Sequence, residues 1–131
     1  MSSFLGAAAS GGGMVVLARN VTVSVATTAA QAIYTSAQTC VPMFFNIRSP
    51  NVALSATTSY KVGITGSLAS YVATVVATSL PTTACQLSAC LPASGATTGV
   101  PLAPAGVVYF SAVQVDPTAT TAVVDLLGYL A

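Results

Sequence analysis

The chain has 131 residues, 54% hydrophobic and only 4% charged, against roughly 25% charged in an ordinary soluble domain. Arg19, Arg48 and Lys61 stand against Asp116 and Asp125, with no His and no Glu, which excludes Ser-His-Asp and Cys-His catalysis and every His-containing zinc site. A net charge of +1 from dispersed cations leaves no footprint for nucleic acid, because phosphate binding needs several Lys or Arg that together release counterions.

Residues 1–13 form a segment of their own. Gly6 to Gly13 reads Gly-Ala-Ala-Ala-Ser-Gly-Gly-Gly, an arm whose glycines leave the backbone free and whose alanines offer little anchorage. Phe4 and Leu5 are the large apolar anchors ahead of the glycines, and they either fold back onto their own domain or reach a neighbour. No Lys or Arg precedes the apolar stretch and glycines interrupt it, so no cleaved leader is expected.

From Met14 onward the hydrophobic period is two, and residues 14–131 read as a single β domain. The predicted strands are Met14 to Ala18, Val21 to Val25, Gln31 to Thr35, Val41 to Arg48, Ser59 to Thr65, Tyr71 to Thr78, Gly106 to Val115 and Thr121 to Leu130. Turn signals separate them: Arg19-Asn20, Ser49-Pro50-Asn51, Gly66-Ser67, Leu80-Pro81, the proline-bearing stretch from Leu91 to Gly106, and Asp116-Pro117-Thr118. Ala26 to Ala37 has some helical leaning, outvoted by the β-branched density around it. About eight strands with polar turns predict an all-β, antiparallel two-sheet sandwich, jelly-roll-like, with an extended N-terminal arm. The apolar runs are strand-sized, shorter than the roughly 18 residues a membrane helix needs, so no membrane partner is expected.

The last two strands are apolar on both faces. Val108 and Phe110 alternate with Val107 and Tyr109, and Val124 and Leu126 alternate with Val123 and Leu127. One face is core, so the other should be covered by the arm, a long loop or another subunit. A chain with so little charge also lacks the usual colloidal protection, which favours association. The competing reading is a secreted monomer whose surface is solvated by Thr, Ser, Asn and Gln.

Little chemistry remains available. Asp125 lies in Val-Val-Asp-Leu-Leu, where burial with a raised pKa is conceivable, but pairing with Arg19, Arg48 or Lys61 is the simpler expectation. Asp116 should cap its Asp-Pro-Thr turn. Lys61 sits in an alternating strand without a nucleophile motif, and Ser10-Gly-Gly-Gly13 lacks the Lys-Ser/Thr of a phosphate loop. Cys85 and Cys90 could close a short disulfide in an oxidising compartment, leaving Cys40 unpaired; three free, mostly buried thiols is the reading favoured over it. No metal site, cofactor or catalytic set is expected. The five tyrosines, without Trp, suit packing with the hydroxyl at the rim better than a sugar-binding platform.

The arm, the Thr/Val strands, and the closing Val-Asp-Leu-Leu-Gly-Tyr-Leu130 strand after the Asp116-Pro-Thr-Ala-Thr120 turn give the chain a texture of its own. It resembles the small β-sandwich decoration or cement proteins on the heads of tailed double-stranded DNA bacteriophages. That resemblance implies a non-enzymatic virion subunit on the outer capsid surface, bound to the major capsid protein and to copies of itself, bracing the shell. The near absence of charge departs from the pattern and leaves the contacts to hydroxyls, strand edges and apolar patches. Phe4, Leu5 and Met14 are the expected assembly contacts. Another virion subunit (minor capsid, fibre or tail) and a secreted ligand-binding module are the alternatives; the latter predicts the Cys85–Cys90 disulfide.

Overall fold

Alternation such as Val21-Thr-Val-Ser24 gives a strand one dry and one wet face, and two such surfaces must close on each other to bury the dry side. In the computed structural model, which describes residues 13–91 and 99–131, this closure is made by eight strands: β1 (Val15–Ser24), β2 (Gln31–Thr35), β3 (Cys40–Arg48), β4 (Ser59–Ile64), β5 (Ser67–Val76), β6 (Cys85–Ala89), β7 (Val107–Gln114) and β8 (Thr121–Leu130). They form two four-stranded antiparallel sheets, ordered β1-β8-β3-β6 and β2-β7-β4-β5. The pairs β4/β5, β3/β6, β2/β7 and β1/β8 nest inside one another, as in one long hairpin rolled up until its two halves face each other.

The all-β sandwich expected from the period-two pattern is therefore the fold, but its eight strands are not the eight predicted ones. The strands predicted over 14–18 and 21–25 merge into a single strand, β1 (Val15–Ser24), because Arg19-Asn20 is a bulge and not a turn. Ala18 pairs with Leu126 and Val21 with Val124, so Arg19 and Asn20 together stand opposite Asp125 alone. Asn20 takes a left-handed φ of 57°, a conformation that Asn tolerates better than most residues.

The strand that sequence reasoning missed is β6. Its pattern is inverted: Gln86 and Ser88 are half-buried, while Cys85, Leu87 and Ala89 are exposed. Gln86 is drawn inward by Tyr60, whose hydroxyl donates to Gln86 Oε1 at 2.5 Å, while the Gln86 amide donates to the Val76 carbonyl at 2.9 Å. Satisfied in this way, an amide can occupy a position where an apolar residue is expected.

Phe45 from one sheet and Tyr60 and Phe110 from the other form the centre of the core, with ring centroids 5.6 to 6.0 Å apart. Ile47, Val62, Val108, Val124 and Leu126 close around them, all fully buried. Pro42 sits in β3 opposite Gly128 of β8, in the stretch where β6 has not yet begun to pair, so its missing N–H interrupts no ladder. Gly63 is required by close approach: a Cβ there would run into the backbone of Ser67, Leu68 and Ser70, where β5 bulges over β4.

At one end of the sandwich Asp116 ties the loops together. Its Oδ1 accepts from the backbone N–H of Thr118 (2.9 Å) and Ala119 (2.6 Å). Oδ2 accepts from Ser55 N–H (2.7 Å) and Thr58 Oγ1 (2.6 Å). The turn cap read from Asp-Pro-Thr is there, extended to a second loop.

Candidate functional site

Register decides what the outer face of the β1-β8-β3-β6 sheet presents. Val124, Leu126 and Gly128 point inward, so Val123, Asp125, Leu127 and Tyr129 point out. Their cross-strand partners on β3 are Arg48, Asn46, Phe44 and Val41, those on β1 include Thr22 and Val16, and Leu87 of β6 continues the row beyond Asn46. The face is apolar towards the start of β1, where Val16, Leu127 and Phe44 meet, and polar at its middle. Val16 is 41% and Leu87 61% exposed. A shallow groove of about 570 Å³ runs here, lined by Val16, Arg19, Asn20, Asn46, Arg48, Leu87, Asp125 and Leu127.

Asp125 organises the groove floor. Arg48 Nε donates to Oδ2 at 2.8 Å and Arg48 Nη2 to Oδ1 at 3.3 Å. Asn46 Nδ2 donates to Oδ2 at 3.1 Å and the Asn20 backbone N–H to Oδ1 at 2.9 Å. Arg48 Nη2 also donates to Asn20 Oδ1. The bulge in β1 thus has a local purpose: it turns one backbone N–H onto a carboxylate in the neighbouring strand. The Arg48 hydrogen bond is the largest influence on Asp125; with Asn20 and Asn46 it outweighs partial burial and holds the carboxyl down at about 2.

Of the three possible cations, Arg48 is the partner, and among the described residues this is the one ion pair. Arg19 lines the same groove. Lys61 is half-buried on the other sheet, opposite Ser111. The raised pKa considered for Asp125 is overturned, since its neighbours favour the charged form. Burial by itself would raise Asp116, but the hydrogen bonds from Thr58, Ser55, Thr118 and Ala119 outweigh it and hold that carboxyl at about 2 as well. Two carboxylates so depressed are poor proton donors and acceptors near neutrality.

The Cys85–Cys90 disulfide is not formed: all three cysteines are free. An extended strand separates the two by five residue steps, about 16 Å at the usual rise per residue, far beyond the roughly 7 Å that a bridge tolerates between Cα atoms. Cys40 and Cys90 are buried and Cys85 is exposed. Of the expected assembly contacts, Met14 is 39% exposed just ahead of β1, whereas Phe4 and Leu5 lie outside the described residues. Among the described residues no three His, Cys, Asp or Glu side chains gather into a metal-binding group.

Asn20 and Asn46 are the site residues that sequence reasoning did not single out. Asn46 had a visible signal, since it shares a strand face with Arg48; Asn20 was hidden by its resemblance to a turn residue.

Fold and face together define an all-β sandwich of two four-stranded antiparallel sheets with a groove on one outer face. No protein-family model matches the chain, and no curated protein matches it. Among solved structures it is similar to a chain of the "Cyanophage Pam1 capsid asymmetric unit", with a TM-score of 0.60 and 18% sequence identity, over 92% of this chain and 87% of that one.

Proposed function

We propose that the chain is a non-enzymatic virion structural protein, a decoration or cement subunit that binds the outer surface of a phage head and stabilises the shell. The observation that carries this reading is the structural likeness to a chain of a phage capsid asymmetric unit over nearly the whole length of both. The two chains are therefore of similar length.

The nested strand order supports the same reading, since it is that of a jelly roll, an architecture common in viral capsid proteins. So does the composition: a subunit that works by contact needs hydroxyls, strand edges and apolar patches rather than titratable groups. A cement subunit stabilises by mass action, binding the assembled shell and not its free parts, and its contacts gain by repetition around the particle. The partners are then the major capsid protein and other copies of this chain. The secreted-module alternative loses its main support with the open Cys85–Cys90 pair.

Reconstitution tests the proposal. Heads prepared without the chain are mixed with the purified protein, sedimented, imaged by electron cryo-microscopy and heated. The expected result is co-sedimentation, added density on the outer surface, and DNA release at a higher temperature. Density inside the shell or on the tail, or heads equally heat-resistant without the chain, overturns it.

A further inference from the structure

We propose that the groove on the outer face of the β1-β8-β3-β6 sheet is the docking site for the chain's own N-terminal segment, with Phe4 and Leu5 folded back over Leu127 and Leu87 through a reversal at Gly11–Gly13. The inference concerns the free chain and does not depend on the virion reading.

Three observations lead to it. The first is position. Val15 pairs with Gly128 and Val16 with Leu127, so the segment joins the fold at the groove's own rim, one residue before a lining side chain. The second is reach. From β1 to β6 the groove crosses three strand spacings, about 14 Å. The seven residues from Ser10 back to Phe4 span up to about 23 Å when extended, and three consecutive glycines permit the reversal that brings them back over the sheet.

The third is chemistry. The segment carries no charged side chain, and Asp125 and Arg48 on the groove floor are already paired with each other. Besides the exposed Arg19 at the bulge, what the groove leaves open is the apolar surface of Val16, Leu127 and Leu87, suited to two large apolar side chains, with the Asn20 and Asn46 amides beside it for the backbone between small residues.

The tether decides between the chain's own segment and that of a second copy. Two side chains form a contact far smaller than the roughly 1,200 Å² or more buried by stable interfaces between separate proteins. A short flexible link, by contrast, presents the same contact at an effective concentration in about the millimolar range. The groove is therefore filled in cis at the concentrations at which the protein is handled.

Cross-linking tests this directly. In a Cys85→Ser background, Leu5→Cys and Leu87→Cys are combined and treated with a short bis-maleimide; Cys40 and Cys90 are buried and left unmodified. A control pairs Leu5→Cys with Val113→Cys, exposed on the other sheet. The expected product has the mass of one chain, forms about ten-fold faster than in the control as the tethered contact dictates, and forms at a rate independent of protein concentration. A dimeric product whose yield rises with concentration assigns the groove to a second copy and overturns the proposal. Equal rates in the two pairs overturn it too. Phe4→Trp adds a readout in a chain with no native Trp: blue-shifted emission that moves red on Val16→Asp is expected, and emission that starts red and stays there counts against docking.

Discussion

Arg48 Nε lies 2.8 Å from Asp125 Oδ2, a diagonal contact, because Arg48 pairs in register with Val123 and Asp125 with Asn46. The geometry couples the β3–β8 ladder to the bulge of β1 through Asn20. With Asp125 13% and Arg48 33% exposed at the side chain, the pair lies between a surface bridge and a buried one, so its coupling should be favourable and weakened by added salt. A double-mutant cycle with Asp125→Asn and Arg48→Met, measured by urea unfolding, is expected to return that coupling. A value near zero would make the cluster ornamental.

Acid sensitivity follows from the two aspartates. Both carboxyls are held at about 2 in the folded chain, below the unfolded value of about 3.9. A depressed folded pKa contributes stability that is present above the unfolded pKa and is lost as pH falls through the folded one. With no His and no Glu in the chain, the melting temperature should be flat from about pH 5 to 7 and fall between about pH 4 and 2. Asp116→Asn should lose about 2 kcal/mol at neutral pH, because an amide nitrogen turned towards Ser55 N–H and Thr58 Oγ1 cannot accept from the Ser55 donor. Its acid limb should also be shallower than that of the native chain, and a limb unchanged in slope would assign the acid response to other groups.

How much of this could be read from residues alone depends on whether the period-two code was obeyed. Val21-Thr-Val-Ser24 obeys it, and there the strand and its inward face followed directly, whereas Thr121 to Leu130, apolar on both faces, was legible as a strand without showing which face turns inward. Where a polar side chain is satisfied inside, as Gln86 is by Tyr60, the code inverts and β6 was invisible. The Arg48–Asp125 pair was legible as one of three choices, because a carboxylate among valines and leucines needs a cation. Choosing among the three required the register of β3 on β8, which depends on a bulge at Pro42/Phe44 that no local pattern announces. The groove was harder still, since it is assembled from four strands spread over more than a hundred residues of chain.

The cysteines give a test of register by chemistry. Cys85 is exposed, and Cys40 and Cys90 are buried; burial pushes the Cys90 thiol up to about 12, further from the reactive thiolate form. One equivalent of thiol is expected to react rapidly with a disulfide reagent under native conditions, and three after denaturation. Peptide mapping should place the fast label on Cys85, and the intact mass should correspond to three reduced thiols. A Cys85–Cys90 bridge in protein isolated without reductant would contradict the extended strand between them.

Tyr60 and Tyr71 are both fully buried rings, yet only one hydroxyl is used within the described residues. Tyr60 donates to Gln86, whereas Tyr71 OH has no hydrogen-bond partner there, and burial pushes both phenols up to about 12. Removing a partnered hydroxyl leaves an orphaned acceptor, while removing an unpartnered one relieves a desolvation cost. Tyr60→Phe should therefore destabilise by about 1 kcal/mol, and Tyr71→Phe should be neutral or stabilising by up to about 1 kcal/mol. Since both substitutions keep the ring and its packing, the difference in unfolding free energy isolates the hydroxyl. A loss at Tyr71 equal to that at Tyr60 would mean that its hydroxyl holds a bound water or a residue outside those described.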